Sequence, residues 1–151
     1  MVCPTPLTAS LVLSSRFENI EVAERVLRDL CERAGCDEDD LRPLLSALWE
    51  ALANAIRHGN RRQVDRRVLV EYSVDDSAAV ITVHDQGEGF DPEAVPDPTA
   101  PENLLRPSGR GIFFMKQLMD RVEFTSPPAG GTCVTMRRRL NSTARSTDNE
   151  E

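Results

Sequence analysis

At 151 residues and 16.8 kDa, the chain has the length of one domain with a full hydrophobic core. Its formal net charge of −7 argues against nonspecific binding to nucleic acid, which requires a basic surface. No apolar run approaches the roughly 18 residues of a transmembrane helix, and the first residues lack the pattern of a signal peptide. The four cysteines show no CxxC spacing, so reduced thiols in the cytoplasm are expected and a zinc site is not.

The first half of the chain predicts three elements. They are an edge strand at residues 8–14, a helix at residues 17–34, and a helix from the acidic cluster at residues 37–40 to His58. Gly35 is placed to cap the first helix, and the acidic cluster suits the N-terminus of the second. Gly59 and Asn60 are expected to end that second helix.

The second half predicts two hairpins with a helix between them. The elements are strands at residues 67–74 and 78–85, a helix at residues 110–119, and strands at residues 121–126 and 132–138. Residues 86–108 contain five of the ten prolines, and a loop of this length is usually a lid or a binding loop.

These elements predict one folded domain and a short tail. Helices grouped beside antiparallel hairpins favour an α+β, two-layer sandwich, in which a mixed, mostly antiparallel sheet carries three helices on one face. Residues 1–140 would form this domain. Residues 141–151 are polar, lack an apolar pattern and are expected to be disordered.

The second helix combines an apolar stripe with an unusual opposite side. Leucines recur at helical spacing from Leu41 towards Ile56 and define the core side. Three alanines at four-residue spacing line the other side together with Glu50 and Asn54, which share a face. Small residues beside two oxygen-bearing side chains would let a metal-bound phosphate come close. An exposed helix that carries Glu and Asn by chance explains this segment alone equally well.

A glycine pair follows the strand that ends at Asp85. Asp85 continues the face of Ile81 and Val83, which should meet the helices, so its carboxylate lies at the rim of the core and needs a donor. The exocyclic amine of adenine would serve, and Gly87 and Gly89 would let the backbone approach a ligand. An ordinary Asp-Gly turn is the alternative, and the rarity of the Asp-x-Gly-x-Gly spacing disfavours it.

Two further glycine pairs lie nearer the C-terminus. Gly109 and Gly111 open the third helix directly after the long loop, where free N–H groups form an anion site. Gly-x-Gly alone is a weak signal. Gly130-Gly131, before Thr132, is typical of a hairpin turn.

In chain order, these motifs resemble the ATP-binding fold of the GHKL superfamily, which includes type II topoisomerases and sensor histidine kinases. The ordered set is Glu50-x-x-x-Asn54, Asp85-x-Gly87-x-Gly89, Gly109-x-Gly111 and Gly131-Thr132. The chain looks most like the small anti-sigma factor serine-protein kinases of bacterial partner-switching systems, because it has one ATP domain, a short lid and a similar helix after the lid. His58-Gly59-Asn60 departs from the His-Ala-Tyr of the best-known members.

The resemblance implies a role for each motif. Glu50 would be the base that activates the attacking hydroxyl, and Asn54 the Mg²⁺ ligand beside the triphosphate. Asp85 would accept a hydrogen bond from the adenine amino group, with Thr132 nearby. The glycines of the second and third motifs would shape the pocket and the lid hinge, and Arg106 in the lid would contact the terminal phosphates.

The resemblance also implies a function, cofactors and partners. The expected protein is a cytoplasmic, ATP- and Mg²⁺-dependent serine/threonine kinase and anti-sigma factor. It would phosphorylate a STAS-domain antagonist, sequester a sigma factor or another regulatory protein, and form a homodimer, without binding nucleic acid or a membrane. The alternative is a non-catalytic module in which ATP only stabilises a partner-binding conformation. An intact Glu50 favours the kinase.

Overall fold

The computed structural model describes residues 5–87 and 107–141. Gly89, Arg106, nearly all of the predicted lid and residues 142–151 of the predicted tail lie outside these residues. None of the described helices is long and apolar enough to cross a membrane.

Five strands and three helices make up the described fold. The strands are β1 (Leu7–Ser14), β2 (Arg67–Val74), β3 (Ala78–His84), β4 (Arg121–Thr125) and β5 (Cys133–Arg139), and the helices are α1 (Ile20–Ala34), α2 (Glu38–Asn54) and α3 (Pro107–Leu118). The strands form one sheet in the order β1-β2-β3-β5-β4, and all four pairings are antiparallel. The predicted α+β sandwich is confirmed, and the described strands contain no parallel pair.

The core lies between the helices and one face of the sheet. Alternate residues of the central strands are buried, as a half-covered sheet requires, namely Val68, Val70, Tyr72, Val74, Ala79, Ile81 and Val83. Leu27 of α1 and Leu44, Leu48 and Leu52 of α2 are fully buried opposite them. The Tyr72 hydroxyl donates to the Ala23 carbonyl of α1 at 2.8 Å, so the polar group of this buried tyrosine has a hydrogen-bond partner.

The predicted link between α1 and α2 is confirmed. Gly35 has a φ of 80°, the left-handed conformation that closes a helix. Asp37 caps α2, and its carboxylate accepts from the Asp40 N–H at 3.0 Å. The chain therefore reverses between the two helices with its end groups satisfied.

A half-buried ion pair fixes α3 beside α2. Arg138 of β5 donates to the Asp40 carboxylate at 3.2 Å and to the Leu118 carbonyl at 2.7 Å. It joins the beginning of α2 to the end of α3, so these helices run antiparallel. The C-terminal half of α2 consequently meets the beginning of α3.

The α-helical part of the second helix ends at Asn54, before the predicted end at His58. α-helical bonding stops at Asn54, and Ala55–Gly59 form a π-helical turn that the Asn60 N–H closes on the Ala55 carbonyl at 2.7 Å. A π turn holds one more residue than an α turn, which widens the helix end. The sequence marks a stop at Gly59 but carries no local signal for the wider turn.

The predicted third helix begins too late. α3 starts at Pro107, and proline suits the first helical position because its missing N–H would be unpaired there. Gly109 therefore lies in the first turn of the helix and not before it, whereas Gly111 lies inside the helix, as predicted. The final hairpin is confirmed, and Gly130 and Gly131 have φ values of 97° and 81°, which favour glycine.

Candidate functional site

Glu50 and Asn54 lie at the edge of α2, facing the beginning of α3. Both side chains are half-buried. A Cβ atom built on Gly111 would lie 2.7 Å from Glu50 Oε2 and 3.6 Å from Asn54 Nδ2. The first and third sequence motifs therefore meet, and the missing side chain at Gly111 leaves space beside two polar groups.

Three alanines, two in α2 and one in the π turn that follows it, belong to the core. Ala47, Ala51 and Ala55 are buried in the core, and α2 packs along α3. The interpretation that these small residues open the face to a ligand is wrong. They belong to the core, whereas Glu50 and Asn54 lie at the margin of the α2–α3 pair.

Glu50 lies in a mixed electrostatic environment. Burial raises the pKa of its carboxyl, and the Arg57 guanidinium partly opposes that effect. Arg57 itself stacks over the Phe17 ring, 5.4 Å from the centroid, and its Nε is buried without a partner among the described residues. A carboxylate with a raised pKa is a better proton acceptor near neutral pH than an ordinary one.

Asp85 directly follows β3 and is 6% exposed. Its Oδ1 accepts from the Gly87 N–H at 2.9 Å and from the Thr132 N–H at 3.0 Å. Burial raises the pKa of Asp85, and these two backbone hydrogen bonds act in the opposite direction. Both of the described donors use Oδ1, and Oδ2 is the oxygen that faces Gly59.

Three glycines around Asp85 pack so closely, on this residue or on one another, that added Cβ atoms would collide. A Cβ on Gly59 would meet the Asp85 carboxylate, and one on Gly131 would meet the Asp85 carbonyl. A Cβ on Gly87 would meet the Gly59 carbonyl. Gly87 therefore permits a close backbone approach to Gly59, and its predicted approach to a ligand stays a prediction. The sequence interpretation treated Gly59 only as a helix stop.

Asn60 is a second residue that sequence reasoning missed. It is buried, and its side chain binds Ser15, Arg67 and the Gln86 N–H. Asparagine after a helix-ending glycine is common, so only its burial distinguishes it.

The remaining predicted residues are placed as follows. Thr132 lies beside Asp85, and Gly109 lies in the first turn of α3, where helical N–H groups have no intrahelical acceptor. Gly89 and Arg106 are outside the described residues, so their roles remain predictions. The described residues contain no group of three His, Cys, Asp or Glu side chains that could hold a metal ion unaided.

Comparison with known proteins defines the family. The family described as histidine kinase-like ATPase domain matches residues 13–138. The fold is similar to the structure of the RsbU and RsbW domains of Rv1364c from Mycobacterium tuberculosis, with a TM-score of 0.65 and 20% sequence identity. The similarity covers 89% of this chain and 32% of that one. The chain belongs to the histidine kinase-like ATPase domain family.

Curated relatives indicate which group of proteins within this family the chain resembles. The chain is 34% identical to an anti-sigma F factor of Halalkalibacterium halodurans over 135 residues, which are 87% of this chain and 91% of the relative. It is 30% identical to the serine-protein kinase RsbW of Staphylococcus epidermidis over 117 residues, 73% of this chain and 74% of the relative. Within its family the chain groups with the serine-protein kinases and anti-sigma factors. The predictions of GHKL membership, ATP use and a protein-serine kinase are confirmed.

Proposed function

We propose that this chain phosphorylates a serine or threonine of a STAS-domain antagonist at the expense of ATP, and that it sequesters a sigma factor or a similar regulatory protein. The observation that supports this most is the meeting of Glu50, Asn54 and Gly111. It brings a carboxylate, an amide oxygen and a helix N-terminus together at one edge of the α2–α3 pair. Phosphoryl transfer depends mainly on such positioning and on charge neutralisation.

Glu50 is assigned the role of general base. It would accept the hydroxyl proton of the substrate as the hydroxyl oxygen bonds to the γ-phosphorus, while the bond from that phosphorus to the bridging oxygen breaks and ADP leaves. The raised pKa of Glu50, caused by its burial, suits proton uptake. The N–H groups in the first turn of α3, which include that of Gly109, would face the phosphates.

The adenine end of ATP is assigned to Asp85 and Thr132. Asp85 Oδ2 would accept from the 6-amino group, and Gly59, Gly87 and Gly131 give this corner its shape. Gly89 would complete the turn, and Arg106 would contact the terminal phosphates.

The Asn54 carboxamide fits Mg²⁺, because a half-exposed amide oxygen is a hard ligand of the kind that this ion accepts. Bound Mg²⁺ would neutralise the charge on the triphosphate. Mg²⁺ usually keeps water and phosphate oxygens as its other ligands.

The names of the relatives motivate the partners. Anti-sigma F factor and serine-protein kinase RsbW are the curated relatives, so a sigma factor and a phosphorylated antagonist are the partners we assign. We also propose a homodimer that works in the cytoplasm, where sigma factors act.

Transfer of label from γ-labelled ATP tests the kinase assignment. The protein is mixed with a candidate STAS-domain partner and Mg²⁺, and the labelled residue is located by mass spectrometry. Serine or threonine labelling that requires Glu50 is expected. Glu32→Gln, the same change on the exposed surface of α1, is the matched control. Tight ATP binding without label transfer to any STAS-domain partner would favour the non-catalytic module.

A further inference from the structure

Asn60 joins separate segments of the chain through one buried side-chain amide. Asn60 is 0% exposed. Its Nδ2 donates to Ser15 Oγ at 2.8 Å and to the Arg67 carbonyl at 3.0 Å, and its Oδ1 accepts from the Gln86 N–H at 2.7 Å. Both amide protons and the amide oxygen are therefore used, in a place where an unpaired amide would be costly.

The partners also fix which way the amide points. The Arg67 carbonyl can only accept, and the Gln86 N–H can only donate. The Ser15 hydroxyl already donates to the Arg66 carbonyl at 2.7 Å, so it can only accept from Asn60. Exchanging oxygen and nitrogen would bring like groups together at all three contacts. The amide oxygen of Asn60 is thus committed to the Gln86 N–H.

The Gln86 N–H belongs to the peptide bond that leaves Asp85. On the other side, Asp85 is held by Thr132 through both its backbone N–H and its Oδ1. Gly59, the residue before Asn60, packs directly on the Asp85 carboxylate. Gly59 therefore contacts the Asp85 carboxylate, and Asn60 holds the peptide bond between Asp85 and Gln86.

We propose that Asn60 is a positioning residue for purine recognition: it holds the peptide after Asp85 so that the carboxylate meets the 6-amino group of adenine. This inference rests on the proposed role of Asp85. Without the contact of Asn60 Oδ1 with the Gln86 N–H, the turn after Asp85 relaxes. The hydrogen bond between the Asp85 carboxylate and the adenine amino group then weakens. The groups at the phosphate end, Glu50 and Asn54, lie on α2 and keep their places. Asn60 thus governs selection of the base and leaves the phosphotransfer step to other residues.

The contact between Asp85 and the 6-amino group is tested by measuring the affinities for two nucleotides. They are ATP and purine riboside triphosphate, which lacks the 6-amino group. The wild-type chain is expected to prefer ATP by about tenfold, as for one hydrogen bond to a charged acceptor. Asn60→Ala should weaken ATP binding by about tenfold and change the binding of the second nucleotide by less than about twofold. It should raise the KM for ATP while kcat stays near the wild-type value.

Ser15→Ala is the control for a merely structural role. It removes one partner of Nδ2 and leaves the Oδ1 contact to Gln86 in place. It should lower the thermal midpoint and keep the preference for ATP. Should Asn60→Ala fail to fold, Gln86→Pro removes the donated N–H from the other side, and Gln86→Ala, which retains the N–H, is its match.

Loss of the ATP preference in Asn60→Ala or Gln86→Pro, with retention in Ser15→Ala and Gln86→Ala, supports the positioning role. A preference that survives in both Asn60→Ala and Gln86→Pro overturns it and leaves the assignment of Asp85 intact. A wild-type chain that binds the two nucleotides equally overturns the assignment of Asp85, and this inference with it.

Discussion

The Asp85 corner and the Glu50–Asn54 edge of α2 hold their polar groups in different ways. Asp85 is buried, accepts two backbone hydrogen bonds and has glycine backbone packed against it. Glu50 and Asn54 are half-exposed, and neither side chain is hydrogen-bonded to another described residue. One corner is thus organised by the protein itself, whereas the other presents groups that a ligand can engage.

The difference between the two regions predicts which substitutions affect stability and which affect only the reaction. Groups that are already paired in the folded protein couple ligand binding to stability, because a change there leaves a buried partner unsatisfied. Groups at an open edge can be altered at little cost to the fold. Substitutions in the two regions should therefore differ in kind, and five predictions test that expectation.

The largest expected effect is that of Glu50→Gln. The amide keeps the shape of the side chain but cannot take a proton at neutral pH, so phosphotransfer should fall by about 10²–10⁴. ATP affinity should stay near that of the wild type. Single-turnover label transfer and calorimetry measure the two quantities. Wild-type phosphotransfer by this variant would show that the base lies elsewhere.

Substitution of Asp85 or of Asn54 should lower the affinity for ATP, and the two effects should differ in their dependence on Mg²⁺. Asp85→Asn keeps an oxygen for Gly87 and Thr132 but turns a donor towards the base, and Asn54→Ala removes the metal ligand. Each loss should cost about 1–3 kcal/mol, roughly ten- to a hundredfold in affinity. Calorimetry with and without Mg²⁺ separates them, since only the Asn54 effect should vanish with EDTA. Unchanged ATP affinity in both variants would contradict the pocket assignment.

One added methyl group should act oppositely in the two regions. In Gly59→Ala it meets the fixed carboxylate of Asp85, and overpacking of this kind costs about 1–3 kcal/mol of unfolding free energy. In Gly111→Ala it meets the end of the Glu50 side chain, which can turn aside, and helix propensity gains up to about 1 kcal/mol. Denaturant unfolding and label transfer are the measurements. Gly111→Ala should fold well and lose phosphotransfer, and a larger stability loss in it than in Gly59→Ala would reverse the comparison.

The smallest effect concerns pH. Glu50 accepts a proton only when ionised, so kcat/KM should fall as the pH drops through its pKa. Because Arg57 lowers that pKa, Arg57→Met should move the acid limb of the profile to higher pH. Arg62→Met is the matched control, since Arg62 stacks on the same Phe17 ring but has no described influence on Glu50. Equal profiles for the two variants would refute the influence of Arg57.

The same pKa has a consequence for stability. The folded pKa of Glu50 lies above the ordinary value of 4.5, so the folded state keeps its proton over a range in which the unfolded chain has lost it. This contribution to stability is present at low pH and is lost as the pH rises through the folded pKa. Glu50→Gln should therefore be slightly more stable than the wild type at neutral pH, and the gain should shrink towards pH 4.

The sequence by itself determined the elements and the motif residues. Alternating and helical apolar patterns, the cap residues at Asp37 and Gly35 and the turn before Ala78 are local, and each is set by residues within a few positions of one another. The spacing of Glu50 and Asn54, and the placement of Asp85 at a strand end, follow from the same local periods. This is why the α+β sandwich, the shared face of Glu50 and Asn54 and the place of Asp85 at a strand end could be predicted, whereas the roles of these residues stay predictions.

Only the tertiary structure decided how the site is assembled. The packing of Gly59 on Asp85 and the burial of Asn60 depend on segments that are far apart in the sequence. Asn60 binds Gln86 and Ser15 across separations of 26 and 45 residues. The helix that packs along α2 likewise comes from a distant part of the chain, beginning at Pro107. No local pattern encodes such contacts, because which side chains meet is settled by close packing of the whole core.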